Sequence, residues 1–121
     1  MIDVLCRLPG FDALDAEAIA IIIARSAVRR FTPGQLVLPA GEVAESLLAR
    51  IEGELVDARG RAAPPVFDAP GLLFGLAARE EHRAGPDGLT ALVIAKPHVF
   101  TIAREFPEFI VSLIGNRGQG R

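Results

Sequence analysis

Tryptophan and tyrosine are absent from this 121-residue chain, and it holds one cysteine, one methionine and two histidines. The lone thiol, Cys6, excludes an internal disulfide framework and a zinc site built on cysteines. A reducing cytoplasm is the simplest setting for such cysteine use. Long apolar runs are missing too. The longest, Ala18 to Ala24, has seven residues, whereas a membrane-spanning helix needs roughly 20. The N-terminus, Met1-Ile2-Asp3-Val4-Leu5-Cys6-Arg7, lacks a basic start followed by an apolar stretch, so no secretory signal is expected. Charge of one sign is not in excess: 13 basic residues face 15 acidic ones, for a net charge of −2. No global pull towards nucleic acid or acidic lipid follows, and neither DNA nor membrane is expected as a direct partner.

What the chain does have is apolar content and punctuation. Half its residues are hydrophobic and 23% are charged, which suits one packed domain. Glycine and proline recur at Pro9-Gly10, Pro33-Gly34, Gly41, Gly53, Gly60, Pro64-Pro65, Pro70-Gly71, Gly75 and Gly85-Pro86-Asp87-Gly88. Between them only short strands fit. Near the start, Leu5, Leu8, Phe11 and Leu14 form a short apolar face. Asp15 reads as the N-cap of a helix over about Ala16 to Ser26, with Glu17 in the first turn. From Val28 to Ile94 the pattern predicts a β-rich body of about eight short strands. They include Leu36–Leu38, Leu47–Ile51 continued by Glu54–Ala58, Val66-Phe67, Leu72-Leu73-Phe74 and Leu89–Ala95. Pro97 suits the first turn of a closing helix carrying Val99, Phe100, Ala103 and Phe106. Pro107 breaks it. A second piece runs from Glu108 to Ile114, with Gly115 as its stop. One domain over 1–115 and a flexible tail over 116–121 result.

In this order and spacing the chain resembles the cyclic nucleotide-binding domain, the sensor module of catabolite-activator-type regulators and of cyclic-nucleotide-gated channels and kinases. Leu8-Pro9-Gly10-Phe11 resembles the family's opening helix, and Phe31-Thr32-Pro33-Gly34-Gln35-Leu36-Val37 its first roll turn. Ala40-Gly41-Glu42 resembles the next turn. Leu47-Leu48-Ala49-Arg50-Ile51-Glu52-Gly53-Glu54-Leu55 resembles a strand pair, and Pro70-Gly71-Leu72-Leu73-Phe74-Gly75 the opening of the phosphate-binding cassette. Leu92-Val93-Ile94, then Phe106-Pro107-Glu108-Phe109, resembles the last strand and the hinge of the closing helices. The resemblance implies a mainly β fold: a cyclic nucleotide-binding-like, double-stranded, jelly-roll-like β roll between flanking helices.

The resemblance also implies what a nucleotide site needs. A short helix presents backbone N–H groups to the cyclic phosphate, an arginine pairs with that phosphate, and a glutamate after Phe-Gly accepts a ribose hydroxyl. Here Phe74-Gly75 is followed by Leu76, Ala77 and Ala78, and no helix is expected there. Two placements remain open for the rest. In the favoured one, Arg79 to Ala84 is a strand, 85–88 a turn and Leu89 to Ala95 its partner, so Arg79 falls near the phosphate arginine with Glu80 and Glu81 beside it. In the other, Leu89 replaces the arginine and Thr90-Ala91 follows. Both leave a vestigial pocket of Phe74, Gly75, Leu76, Ala77, Ala78, Arg79, Leu89 and Thr90. Each charge-assisted contact contributes about 1.5–3 kcal/mol, so losing two moves micromolar affinity towards millimolar. Cyclic AMP and cyclic GMP are not expected as ligands.

No enzyme constellation is present. Ser26, Ser46 and Ser112 are the only serines, and none sits in a Gly-x-Ser-x-Gly elbow. His82 and His98 share no ligand spacing and read as rim residues. No cofactor is called for. Cys6, among apolar neighbours, reads as buried and inert. Arg29-Arg30 reads as a solvated pair at a strand start. Arg79-Glu80-Glu81-His82-Arg83 reads as an exposed edge; the other reading is a plug for the vacated pocket. The last helix carries more apolar residues than one narrow stripe needs. Phe109, Ile110, Leu113 and Ile114 are therefore the expected interaction surface, for a second copy or another protein, unless they cover the roll. In the resembling regulators a helix-turn-helix follows this helix. None can form before Arg121, so no DNA-binding domain is expected. The expected function is a regulatory interaction module; the alternative is a sensor for a different small ligand.

Overall fold

Alternation along two long strands organises the chain. In a computed structural model, which describes the backbone of residues 1–119 and side chains through Ile114, the short helix α1 (Ile2–Leu5) leads to a 3₁₀ turn, Phe11–Ala13. Helix α2 (Ala16–Ala24) follows, capped by Asp15, whose side chain accepts from the Ala18 N–H at 2.8 Å. The sheet comprises β1 (Ala27–Phe31), β2 (Leu36–Leu38), β3 (Ser46–Val56), β4 (Val66–Phe67) and β5 (His82–Ala95). Helix α3 (Ala69–Phe74) lies between β4 and β5, and α4 (Lys96–Glu105) and α5 (Pro107–Gln119) close the chain. The strands are antiparallel in the order β1-β5-β3-β4, with β2 also on β5. The sheet is an antiparallel roll that does not close.

Successive side chains of a strand face opposite ways, and here both faces are covered. Leu47 and Ala49 of β3, with Leu92 and Ile94 of β5, join Leu5, Leu8, Phe11, Ile19, Ile22, Val99, Ile102, Phe109 and Leu113 in a helix-side core. Leu48, Leu55, Leu89 and Ala91 join Phe31 and Ala84 in a second core inside the roll. This explains the apolar run from Ala91 to Ala95. A strand buried on both faces has no polar face to show.

Several expectations are corrected. Among the described residues five strands form, not about eight, because β3 and β5 are long and bend through register shifts instead of ending. Gly85-Pro86-Asp87-Gly88 is not a turn between two strands but part of β5. Between the pairs Gly53↔Leu89 and Leu55↔Ala84, β5 takes more residues than β3. Gly53 (φ 77°) and Gly88 (φ 79°) absorb the irregularity. A Cβ on Gly53 would lie 2.2 Å from the Gly88 carbonyl oxygen, so the crossing admits only glycine there. Leu72-Leu73-Phe74 is helical, as part of α3. Helix α5 continues past Gly115 to Gln119; residues 120–121, the end of the expected tail, lie outside the described residues. Cys6 is exposed, not buried, with its thiol 3.3 Å from the Asp3 carbonyl oxygen.

The closing helix sits against the N-terminal turn. Phe11 and Phe109 meet edge to face at 5.2 Å. The Gly10 N–H donates to Ser112 Oγ at 3.0 Å, and the Ser112 hydroxyl donates to Asp12.

Candidate functional site

Helix α3 exists because Asp68 starts it and Gly75 ends it. The Asp68 carboxylate accepts from the Gly71 N–H at 3.2 Å, and its carbonyl from the Leu72 N–H at 3.0 Å. Pro70 sits in the first turn, where a missing N–H is tolerated. Gly75 takes the left-handed conformation (φ 66°, ψ 33°), and the Leu76 N–H returns to the Gly71 carbonyl. A short helix is therefore present, but it precedes Gly75, and no helix follows Gly75 before β5. Phe67-Asp68, not Phe74-Gly75, stands at its start.

This placement decides the chemistry at the helix start. An anion is held there by free first-turn N–H groups. Pro70 has none, and those of Gly71 and Leu72 are committed to Asp68. A carboxylate already occupies the end of the helix that favours negative charge. Helix α3 itself, Ala69-Pro70-Gly71-Leu72-Leu73-Phe74, contains no acidic side chain to accept a ribose hydroxyl.

Beyond α3 the chain is tied to the turn before β3. The Gly41 N–H donates to the Ala78 carbonyl and the Ala78 N–H to the Glu42 carbonyl, each at 2.8 Å, with Val43 bridged to Ala77. A recess of about 240 Å³ results, lined by Phe67, Asp68, Pro70, Gly71, Leu76, Ala77, Ala78, Arg79 and His82. So Leu76, Ala77, Ala78 and Arg79 of the expected pocket are brought together. Phe74 and Gly75 stay outside the lining, and Phe74 is 60% exposed. Leu89 and Thr90 lie on β5 opposite Phe31 and Arg30, with Leu89 in the roll's interior core. Arg79 forms no ion pair or hydrogen bond among the described residues. Its neighbours are engaged: Glu80 accepts from the Ala58 N–H at 3.0 Å, and Glu81 pairs with Arg83 at 3.1 Å. That pair holds the Glu81 carboxyl below its ordinary pKa and raises that of Arg83. The run braces neighbouring loops.

Sequence reasoning missed three participants: Asp68, the Phe67–His82 contact and the larger recess. The Phe67 and His82 rings lie 4.5 Å apart, and His82 Nδ1 is 3.2 Å from the Glu80 carbonyl oxygen. His98 is exposed on α4. Phe67 also borders a recess of about 570 Å³ in the mouth of the roll, with Arg29, Phe31, Val37, Glu42, Glu45, Leu48 and Val93 in its wall. Its size suits a small ligand. Its lining mixes apolar side chains with the charged Arg29, Glu42 and Glu45. Asp68 had a readable signal, since Asp-x-Pro before an apolar run is a helix start. The recess had none, because folding alone brings β1, β2 and β4 around it.

The expected interaction surface divides. Phe109 and Leu113 are core residues, Ile110 is half-buried, and Ile114 is 48% exposed. The most exposed apolar side chain on the described part of α5 is Val111, at 70%. The helix turns Phe109 and Leu113, four residues apart, onto one buried face. No described helix is long and apolar enough to cross a membrane.

No protein-family model matches the chain, and no curated protein is a significant match. Solved structures do match. The catabolite activator protein of Thermus thermophilus superposes with a TM-score of 0.76 at 15% identity, over 92% of this chain and 57% of that one. The N-terminal domain of a transcriptional regulator from Streptomyces coelicolor gives 0.69 at 21% identity, over 97% and 89%. The sensor domain of the transcriptional regulator DNR from Pseudomonas aeruginosa gives 0.71 at 12%, over 97% and 85%. This chain thus spans little more than half of the Thermus protein, and most of the two domains. It shares the β-roll fold of these regulators, as the sequence resemblance implied.

Proposed function

We propose that this chain, built on the fold of catabolite-activator-type sensor domains, is a regulatory module that no longer binds cyclic nucleotides and acts by association. The observation that carries the reading is the Asp68 carboxylate at the start of α3. It accepts from the Gly71 N–H and puts a negative charge at the helix end that would otherwise favour an anion. Asp68 opposes a second anion in the smaller recess, where Arg79 favours one, and Glu42 and Glu45 oppose one in the larger recess, where Arg29 favours one. Association is supported by Val111 and Ile114, apolar side chains that α5 leaves in solvent. A second copy or another protein is the expected partner.

One specific observation favours a second reading. The 570 Å³ recess is open and not filled by the protein's own side chains, which suits a sensor for some other small molecule. A thermal shift tests the first reading. A ligand with a dissociation constant near 10 μM, present at about 1 mM, stabilises by about 2.7 kcal/mol, or roughly 10 °C for a domain of this size. We expect cyclic AMP and cyclic GMP at that concentration to leave the melting temperature unchanged. A rise of several degrees overturns the proposal.

A further inference from the structure

The two ends of the sheet differ. β4 has two residues, Val66–Phe67, and follows Pro64-Pro65, so that edge is short and blunted. β1 has five residues, no proline, and one neighbour, β5. Among the described residues, no backbone hydrogen bond joins Ala27–Phe31 to anything outside the sheet. Ala27, Val28, Arg29 and Arg30 are all exposed. Such an edge presents unpaired N–H and C=O groups to any strand that can lie beside it.

The side chains along it have a chemistry. From Ala18 to Gly41 the sequence contains Arg25, Arg29 and Arg30 and no acidic residue. Arg25 is neutralised by Glu105 at 2.9 Å. Arg30 has no carboxylate within ion-pairing distance among the described residues, and its partners on β5, Thr90 and its neighbours, carry no charge. Arg29 lies over the Phe31 ring at 4.8 Å, and these two line the open 570 Å³ recess. The two faces of the edge therefore differ: Arg30 is on one, the recess on the other. Glu42 and Glu45 lie in the recess wall, so an acid fits the Arg30 face and an apolar side chain fits the recess face. A second copy of β1 is a poor occupant, because it would bring arginine against arginine.

We propose that the outer edge of β1 docks an extended segment of a partner protein that alternates acidic and apolar residues and joins the sheet as a further strand. Its acids meet Arg30, and its apolar side chains enter the recess beside Phe31, as the two-residue period of a strand requires. This rests on the association reading and names a partner chemistry for it.

The test uses the full chain and a fluorescein-labelled peptide, acetyl-Thr-Val-Glu-Phe-Glu-Val-Thr-amide, with a control in which both glutamates are lysine. Fluorescence anisotropy is expected to show saturable binding of the glutamate peptide below about 1 mM, the weak range usual for one short strand. Arg30→Glu should weaken it at least tenfold while the melting temperature stays within about 2 °C. If that variant melts early, Arg30→Gln serves, with a smaller loss of binding expected. Hydrogen exchange should show Ala27–Phe31 amides protected by the peptide. The proposal is overturned by no saturable binding, by binding that survives the Arg30 substitution, by equal binding of the lysine peptide, or by binding that leaves β1 amides unprotected. Self-association that persists in a protein ignoring the peptide refutes the β1 edge alone and leaves the association reading standing.

Discussion

Alanine at Gly53 should be far more damaging than alanine at Gly60, although both glycines hold nearly the same left-handed backbone, φ 77° and φ 80°. The backbone penalty alone is about 1 kcal/mol for each. Around Gly60 nothing lies within 4 Å of the new methyl group, so the cost stops there. At Gly53 the methyl would fall 2.2 Å from the Gly88 oxygen and 3.1 Å from the Leu89 Cα. These are backbone atoms held in the β3–β5 ladder, so they cannot swing aside as a side chain would. Relieving such a contact costs about 1–3 kcal/mol more. With roughly 4 °C lost per kcal/mol in a domain of this size, Gly60→Ala should melt about 4 °C early and Gly53→Ala about 12 °C early. Thermal unfolding followed by circular dichroism, on both variants under one buffer, measures this. Equal shifts would refute the claim that β3 and β5 cross by close approach of two glycines.

The other predictions concern surfaces and charge. Val111→Asp should leave the fold intact and weaken any self-association seen by light scattering. Leu113→Asp should unfold the domain, since Leu113 is buried against Gly10; equal folding of the two would misplace α5. Asp57 is held below its ordinary pKa first by the backbone N–H of Arg61, then by that of Arg59 and by the Arg61 charge. A depressed carboxyl stabilises fully above its unfolded pKa and stops doing so as pH falls through the folded value. Asp57→Asn should therefore flatten the acid limb of a urea-midpoint titration below about pH 4, and an unchanged limb would count against the turn geometry. Cys6, being exposed, should react with a thiol reagent in the native protein, without the lag that unfolding imposes.

Much of this molecule could be read from its residues, and the failures share a cause. The Asp15 cap and the Pro107 break are local signals, decided by neighbours in sequence, and both are found. Leu72-Leu73-Phe74 was misjudged as a strand because its apolar run resembles one while Asp68-Ala69-Pro70 starts a helix there. Two short motifs competed, and capping won. The β5 error has a different origin. Gly-Pro-Asp-Gly is turn chemistry, and only pairing with β3 keeps the chain extended through it. Phe109 and Leu113 could not be assigned to core or surface, because that depends on Phe11 and Gly10, roughly a hundred residues away.

On the proposed reading, the Asp68 carboxylate at the start of α3 stands against cyclic nucleotide binding. Calorimetric titration of cyclic AMP and cyclic GMP into the full chain, alongside Asp68→Ala, tests it most directly. No saturable heat is expected from the native protein up to about 1 mM nucleotide. Low-micromolar saturation by either nucleotide, with Asp68 in place, would contradict it.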